Sequence, residues 1–233
     1  MAGSILSRQS QPDRLSSLID VAIFLIIVTA VDYGASRVID EQSLWGGVVP
    51  LLTSLALAWG LLVLRGEKWR DTGLRRPRPL WTLAVWTPVI VAVAFGILSV
   101  VRPLLEGEPN VERFAVLEGN FPLYLQIMLG VWVSGALFEE LIYRGFLLTR
   151  LVHVFGSGAA GLALANLVQA GIFGTIHWYQ GLTGMVLTGT VGFILGAFYF
   201  LAGRNLWPLI LAHGILNSIS LTRIFLFGVT GAE

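Results

Sequence analysis

Two adjacent glutamates and an arginine, Glu139, Glu140 and Arg144, lie inside a stretch otherwise apolar enough to cross a bilayer. A charged side chain near the bilayer centre costs at least ~2.5–3.5 kcal/mol. Three such groups within one short stretch therefore face protein or water rather than lipid. Two later apolar segments each add a histidine, His177 and His213, and Asn217 follows the second one helical turn later. Carboxylate and imidazole move protons, and imidazole and carboxamide can hold a developing oxyanion.

Helical spacing divides these groups by role. Glu140 and Arg144 are four apart and share a face, so they can pair. Glu139 points about 100° away from Glu140 and diverges from Arg144, which leaves it freer to act as a base. Phe173 precedes His177 by one turn on the same face and is read as a substrate-binding residue. His213 and Asn217 project together from one face, as oxyanion donors or as helix–helix glue. A buried charge cluster that only locks helices together is the competing reading of 139–144. His153 reads as an interfacial histidine, Asp20 and Asp32 as end-of-helix groups, and Arg102 and Arg223 as snorkelling or topology charges. Counted from expected span ends, Glu139 lies near mid-span, His177 nearer the outer end and His213 nearer the inner end. At ~1.5 Å per residue the mismatch is several ångströms, which bending at Gly171, Gly174 or Gly214 can absorb.

The elements that must position these groups are membrane helices. Hydrophobic residues make up 55% of the 233-residue chain and charged residues 12%, and the mean hydropathy is +0.78. That charge fraction is about half the value of a soluble protein. The chain has no cysteine, which excludes disulfides, thiolate catalysis and cysteine metal sites. Seven apolar segments, about 17–38, 44–64, 80–101, 122–147, 158–178, 182–202 and 205–226, qualify or nearly qualify as spans of roughly 20 residues. The expected fold is all-α: a polytopic transmembrane helical bundle of about seven spans. The amphipathic segment 145–153 can supply an extra interfacial helix. Residues 1–16 are expected to form a cytoplasmic N-terminal segment. Residues 17–233 form one transmembrane domain with a catalytic core at about 122–226. The first apolar run lacks a clear small-residue cleavage site and reads as a retained helix.

Loop charge sets the orientation. The loop 65–79 carries Arg65, Lys68, Arg70, Arg75, Arg76 and Arg78, whereas 102–120 carries Glu106, Glu108, Glu112 and Glu118. Basic loops stay cytoplasmic, so the N-terminus is expected inside and the acidic loop outside. Trp45, Trp69, Trp81, Trp178 and Trp207 fall near span ends, as indole rings prefer. Gly192 and Gly196 in the sixth span have the spacing of close helix packing.

In order along the chain stand Glu-Glu-x-x-x-Arg at 139–144, Phe-x-x-x-His at 173–177 and His-x-x-x-Asn at 213–217. This set resembles the CPBP intramembrane proteases, the CAAX protease and bacteriocin-processing (Abi) family. The stretch 71–77, Asp-Thr-Gly-Leu-Arg-Arg-Pro, is similar to a feature of that family. The resemblance implies that Glu139 activates water, with Glu140 and Arg144 completing its motif. It implies that His177 shares the water and that His213 and Asn217 bind the oxyanion. No motif position departs from the family pattern.

The reading that unites these features is an intramembrane endopeptidase. It needs no cofactor and is expected to be metal-independent, although two histidines and a glutamate can also bind zinc; the H-E-x-x-H spacing is absent. Its partners are a membrane-associated peptide or protein substrate and the lipid bilayer, with no nucleic acid. The expected location is a prokaryotic plasma membrane, with the N-terminus cytoplasmic. A proton-coupled transporter and a non-catalytic scaffold or immunity protein on the same fold are the alternatives. A transporter would show repeat symmetry between its halves, and no internal repeat is visible.

Overall fold

A computed structural model describes residues 13–40, 43–44 and 46–229. Most of the expected N-terminal segment and Trp45 lie outside the described residues. Those described form helices and connecting turns, with no strand among them. The helices are α1 (Arg14–Ser36), α2 (Val48–Leu64), α3 (Trp81–Val101), α4 (Phe121–Val131), α5 (Thr149–Phe155), α6 (Ala159–Thr175), α7 (Gly181–Leu201) and α8 (Trp207–Phe227). Between α4 and α5 the helix does not break. It passes through two π-helical stretches, Trp132–Phe138 and Glu140–Leu148, so that Phe121–Phe155 is one rod of 35 residues.

Five of these elements are long and apolar enough to cross a membrane: Arg14–Ser36, Trp81–Leu104, Phe121–Phe155, Trp178–Leu201 and Trp207–Phe227. Val48–Leu64 and Ala159–Thr175 are apolar but shorter, at 17 residues each, the low end of a spanning length. The seven expected segments therefore all exist, and the chain is a multi-pass membrane protein. Its surface agrees: Ile26, Leu129, Leu167, Leu182 and Leu226 are exposed, as lipid-facing residues must be, while Glu140, Arg144 and Arg150 are fully buried.

Local chemistry starts and stops the helices. Asp13 caps α1 by accepting from the Ser16 amide at 2.7 Å. Asn120 caps α4 through the Leu123 amide, and Asn205 accepts from the Trp207 amide at the start of α8. Gly156, at φ +97°, ends α5 in a conformation that favours glycine.

The segment 145–153 does not leave the rod as a separate interfacial helix. It continues the same helix and is largely buried, with Phe24 of α1 packed on Phe146. The basic loop covers it too: a side chain at Gly145 would meet Thr72 Oγ1 at 3.1 Å. That loop is also tied to the α7–α8 turn. Tyr199 Oη donates to the Thr72 carbonyl at 2.7 Å, the Leu206 amide to the Gly73 carbonyl at 3.0 Å, and Asn205 Nδ2 to the Arg75 carbonyl at 3.0 Å. Gly73 sits at φ +113°, where a Cβ would lie 2.6 Å from the Arg204 carbonyl oxygen. The 71–77 stretch is thus a fitted strap across the basic end of the bundle. The acidic loop lies at the opposite end, bonded through Asn110 to Gln180 and through Gly119 to Phe225.

Asp20 is more than an end-of-helix group. Its carboxylate is fully buried and accepts from Arg65 Nη2 at 2.7 Å and from Arg150 Nε at 3.0 Å, while Arg150 also bridges Glu67. One carboxylate thereby joins α1, the end of α2 and the C-terminal part of the long rod. Removing one partner of a buried pair strands the other, at ~3–5 kcal/mol. Asp20→Asn is therefore expected to melt well below wild type in detergent. An unchanged melting temperature would remove the clamp from this account.

Candidate active site

The middle of the long rod carries the acidic pair. Both glutamates lie where α-helical hydrogen bonding gives way to the i→i+5 pattern, a distortion often found at functional sites. Glu140 faces inward. Its Oε1 accepts from Arg144 Nη1 at 2.8 Å and from His213 Nδ1 at 2.8 Å. Arg144 Nη2 reaches across to the Gly192 carbonyl at 3.1 Å. The Glu140–Arg144 pair expected from spacing is present, and a third member, His213 of α8, joins it.

Glu139 points elsewhere. Its side chain is 17% exposed, and its Oε2 lies 3.9 Å from His213 Nε2. His213 is thus set between the two carboxylates, bonded to one and facing the other. Because the Glu140 carboxylate accepts at Nδ1, that nitrogen carries a proton and Nε2 is the atom presented to Glu139.

His177 lies just beyond the end of α6, where the chain enters a short 3₁₀ turn, Trp178–Gln180. Its Nδ1 lies 2.8 Å from the Phe173 carbonyl. A carbonyl can only accept, so Nδ1 carries the proton and Nε2 keeps a lone pair for the cavity. Phe173, only 2% exposed, is a packing hub. Its ring stands 4.9 Å from the His177 ring, 6.1 Å from His213 and 5.0 Å from Tyr143. The Arg144 guanidinium lies over it at 4.6 Å. Phe173 is among the residues that line the cavity, and its ring also packs beside both imidazoles.

Glycines allow this convergence. A Cβ at Gly192 would stand 2.9 Å from the Phe173 ring, and one at Gly214 would stand 2.5 Å from Trp132. Gly192 therefore admits Phe173 while its carbonyl receives Arg144. Gly214 lets α8 press His213 against the rod, and Trp132 Nε1 fixes the same contact by donating to Ser218 Oγ at 3.0 Å. Spacing alone marks Gly192 only for generic close packing and gives no signal for Trp132. Asn217 is placed over the rod as well: a Cβ at Gly135 would meet its Nδ2 at 3.1 Å.

Two cavities meet at these groups. One, of about 480 Å³, is lined by Glu139, Phe173, His177, His213 and Asn217 together with apolar side chains of α3, α7 and α8. The other, of about 490 Å³, lies toward α1 and α2 and is lined by Glu139, Tyr143 and His177 among others. Their shared wall is Phe114, Val131, Ser134, Glu139, His177 and Tyr179. The structure thus brings Glu139, His177, His213 and Asn217 to one chamber and sets Glu140 and Arg144 behind it. His153 is elsewhere, beside Ser17 Oγ at 3.4 Å. Among the described residues, no group of three or more His, Asp or Glu is gathered as a metal site.

This arrangement, carboxylate and imidazole facing one space with amide and imidazole donors beside it, is what hydrolysis of a carbonyl compound needs. Residues 121–219 match the family model of the type II CAAX prenyl endopeptidases, Rce1-like. The matched stretch is less than half of the chain, yet it contains all seven motif residues from Glu139 to Asn217. The Rce1-like family is a protease family, and it agrees with the resemblance carried by the three motifs. No curated protein and no solved structure matches the chain.

Proposed function

We propose that this protein is an intramembrane endopeptidase that cleaves a membrane-associated peptide or protein by glutamate-activated water. The observation that carries the reading is the shared wall of the two cavities, where Glu139 and His177 face the same space. A water held there donates one hydrogen to Glu139 and the other to His177 Nε2, which turns its lone pair toward a peptide carbonyl. Glu139 takes the proton as the oxygen attacks carbon. The tetrahedral oxyanion accepts from Asn217 Nδ2 and, when the His213 ring carries both protons, from His213 Nε2. The C–N bond then breaks, and Glu139 returns its proton to the leaving nitrogen, giving a carboxylic acid and an amine. Glu140 and Arg144 hold the His213 ring in position and do not touch the substrate.

The catalytic core is residues 122–226 within one transmembrane domain. No step requires a metal or an organic cofactor. The test is cleavage of fluorogenic peptides by the detergent-purified protein, with and without chelator. Turnover is expected in both conditions at equal rates. Turnover lost to EDTA and restored by zinc would overturn the metal-free mechanism, and none in either condition would overturn the protease.

The basic strap faces the cytoplasm in this proposal, as in a plasma membrane with the N-terminus inside. Arg76 is exposed in the strap, and the chain has no cysteine of its own. Arg76→Cys is therefore expected to react with an impermeant maleimide only after cells are permeabilised. Labelling of intact cells would invert the orientation.

A further inference from the structure

The cavity toward α1 and α2 contains a carboxylate that the hydrolytic mechanism does not use. Asp32 stands four residues before the end of α1, about 6 Å along its axis. It is partly buried, and it lines both the 490 Å³ cavity and an adjoining one of about 70 Å³. Among the described residues, no hydrogen bond or ion pair engages its carboxylate. The contrast with Asp20 on the same helix is direct, since Asp20 holds two arginines. Arg113 lines the same two cavities, but its guanidinium is stacked on the Tyr179 ring at 3.6 Å. Arg37, one helical turn and a residue beyond Asp32, lies over Tyr33 at 5.6 Å. A carboxylate within a spanning helix carries a standing cost unless it faces water or a partner. Asp32 faces a chamber wide enough for a peptide segment, and that chamber ends at Glu139 and His177.

We propose that Asp32 is a specificity subsite for a cationic side chain of the peptide substrate, lysine or arginine, seated in this cavity while the scissile bond lies between Glu139 and His177. The proposal rests on the endopeptidase reading for its position relative to the bond cut, and on the cavity and the unpaired carboxylate for the ligand. An ethanolamine lipid headgroup carries the same ammonium chemistry, so the test must separate the two sources.

The experiment scans lysine through each position flanking the bond cut in an N-acetylated fluorogenic peptide, with norleucine as the neutral partner. Each pair is assayed with the full-length protein in lipid-free detergent. At one position lysine should exceed norleucine by about tenfold in kcat/KM, chiefly through KM, as one charged hydrogen bond provides. Asp32→Asn should bring that ratio close to one. Asp32→Lys should reverse it, favouring glutamate at the same position. No positional preference in wild type, or a preference that survives Asp32→Asn, overturns the subsite.

If wild-type protein cleaves none of the peptides, the endopeptidase reading fails, and equilibrium binding of the same labelled peptides decides the subsite separately. Lysine-dependent binding that Asp32→Asn weakens about tenfold supports it; binding indifferent to Asp32 overturns it. Phosphatidylethanolamine is then added against phosphatidylcholine. Displacement of the lysine peptide by the ethanolamine lipid alone, dependent on Asp32, assigns the site to lipid and overturns the peptide assignment.

Discussion

Glu139→Gln is expected to abolish peptide cleavage while the protein melts at or above the wild-type temperature. The carboxamide keeps the shape of the side chain but cannot accept a proton at neutral pH. A positioned general base contributes about 10²–10⁴ in rate, so residual turnover should fall by at least about a hundredfold. Stability should not fall with it. Among the described residues Glu139 makes no hydrogen bond that a glutamine would lose, and His213 Nε2 is 3.9 Å away. Its side chain lines both cavities rather than the packed core. Cleavage and thermal unfolding are measured on the same detergent preparation. Cleavage near the wild-type rate would remove Glu139 as the base.

Much of this arrangement was legible in the sequence because a bilayer leaves few choices. Seven apolar runs predict seven helices, and the observed ends fall close to the expected ones for all but the fourth. The Glu140–Arg144 pair followed from four-residue spacing alone. Convergence of the motifs was not legible, because depth was counted along straight α-helices of ordinary length. The fourth helix is instead a rod of 35 residues with π-helical hydrogen bonding around both glutamates. The fifth segment, helix α6, ends at Thr175, so His177 lies in a turn beyond the helix end. Both changes shift where side chains point and how deep they sit, and periodicity reports neither. The bond from His213 to Glu140 spans 73 positions, a contact that no local pattern encodes. Asp20 was underestimated for a similar reason: its partners Arg65 and Arg150 come from other helices. Glycine spacing marks Gly192 for close packing and Gly214 for a bend, but it does not name Phe173 and Trp132 as the side chains that the missing Cβ atoms admit.

Glu140→Gln is expected to lose activity by a different route, through the melting of the site. Glu140 Oε1 receives both Arg144 and His213, whereas Oε2 is buried with no partner. A glutamine can present the same acceptor atom, so the substitution removes charge more than geometry. Arg144 is then fully buried with neutral acceptors and the face of Phe173, and without the carboxylate it was bonded to. Breaking a buried pair in this way costs ~3–5 kcal/mol. The Glu140 variant should therefore melt clearly below both wild type and Glu139→Gln. Its two tasks can be separated by adding Arg144→Gln. The double variant removes the stranded cation, so its melting temperature should recover much of the loss. Its activity should not recover, because His213 still lacks the carboxylate that orients its Nδ1. Recovery of cleavage in the double variant would reduce Glu140 to a mere counter-ion for Arg144. Early melting of Glu139→Gln with a stable Glu140→Gln would mean that the two carboxylates have exchanged roles.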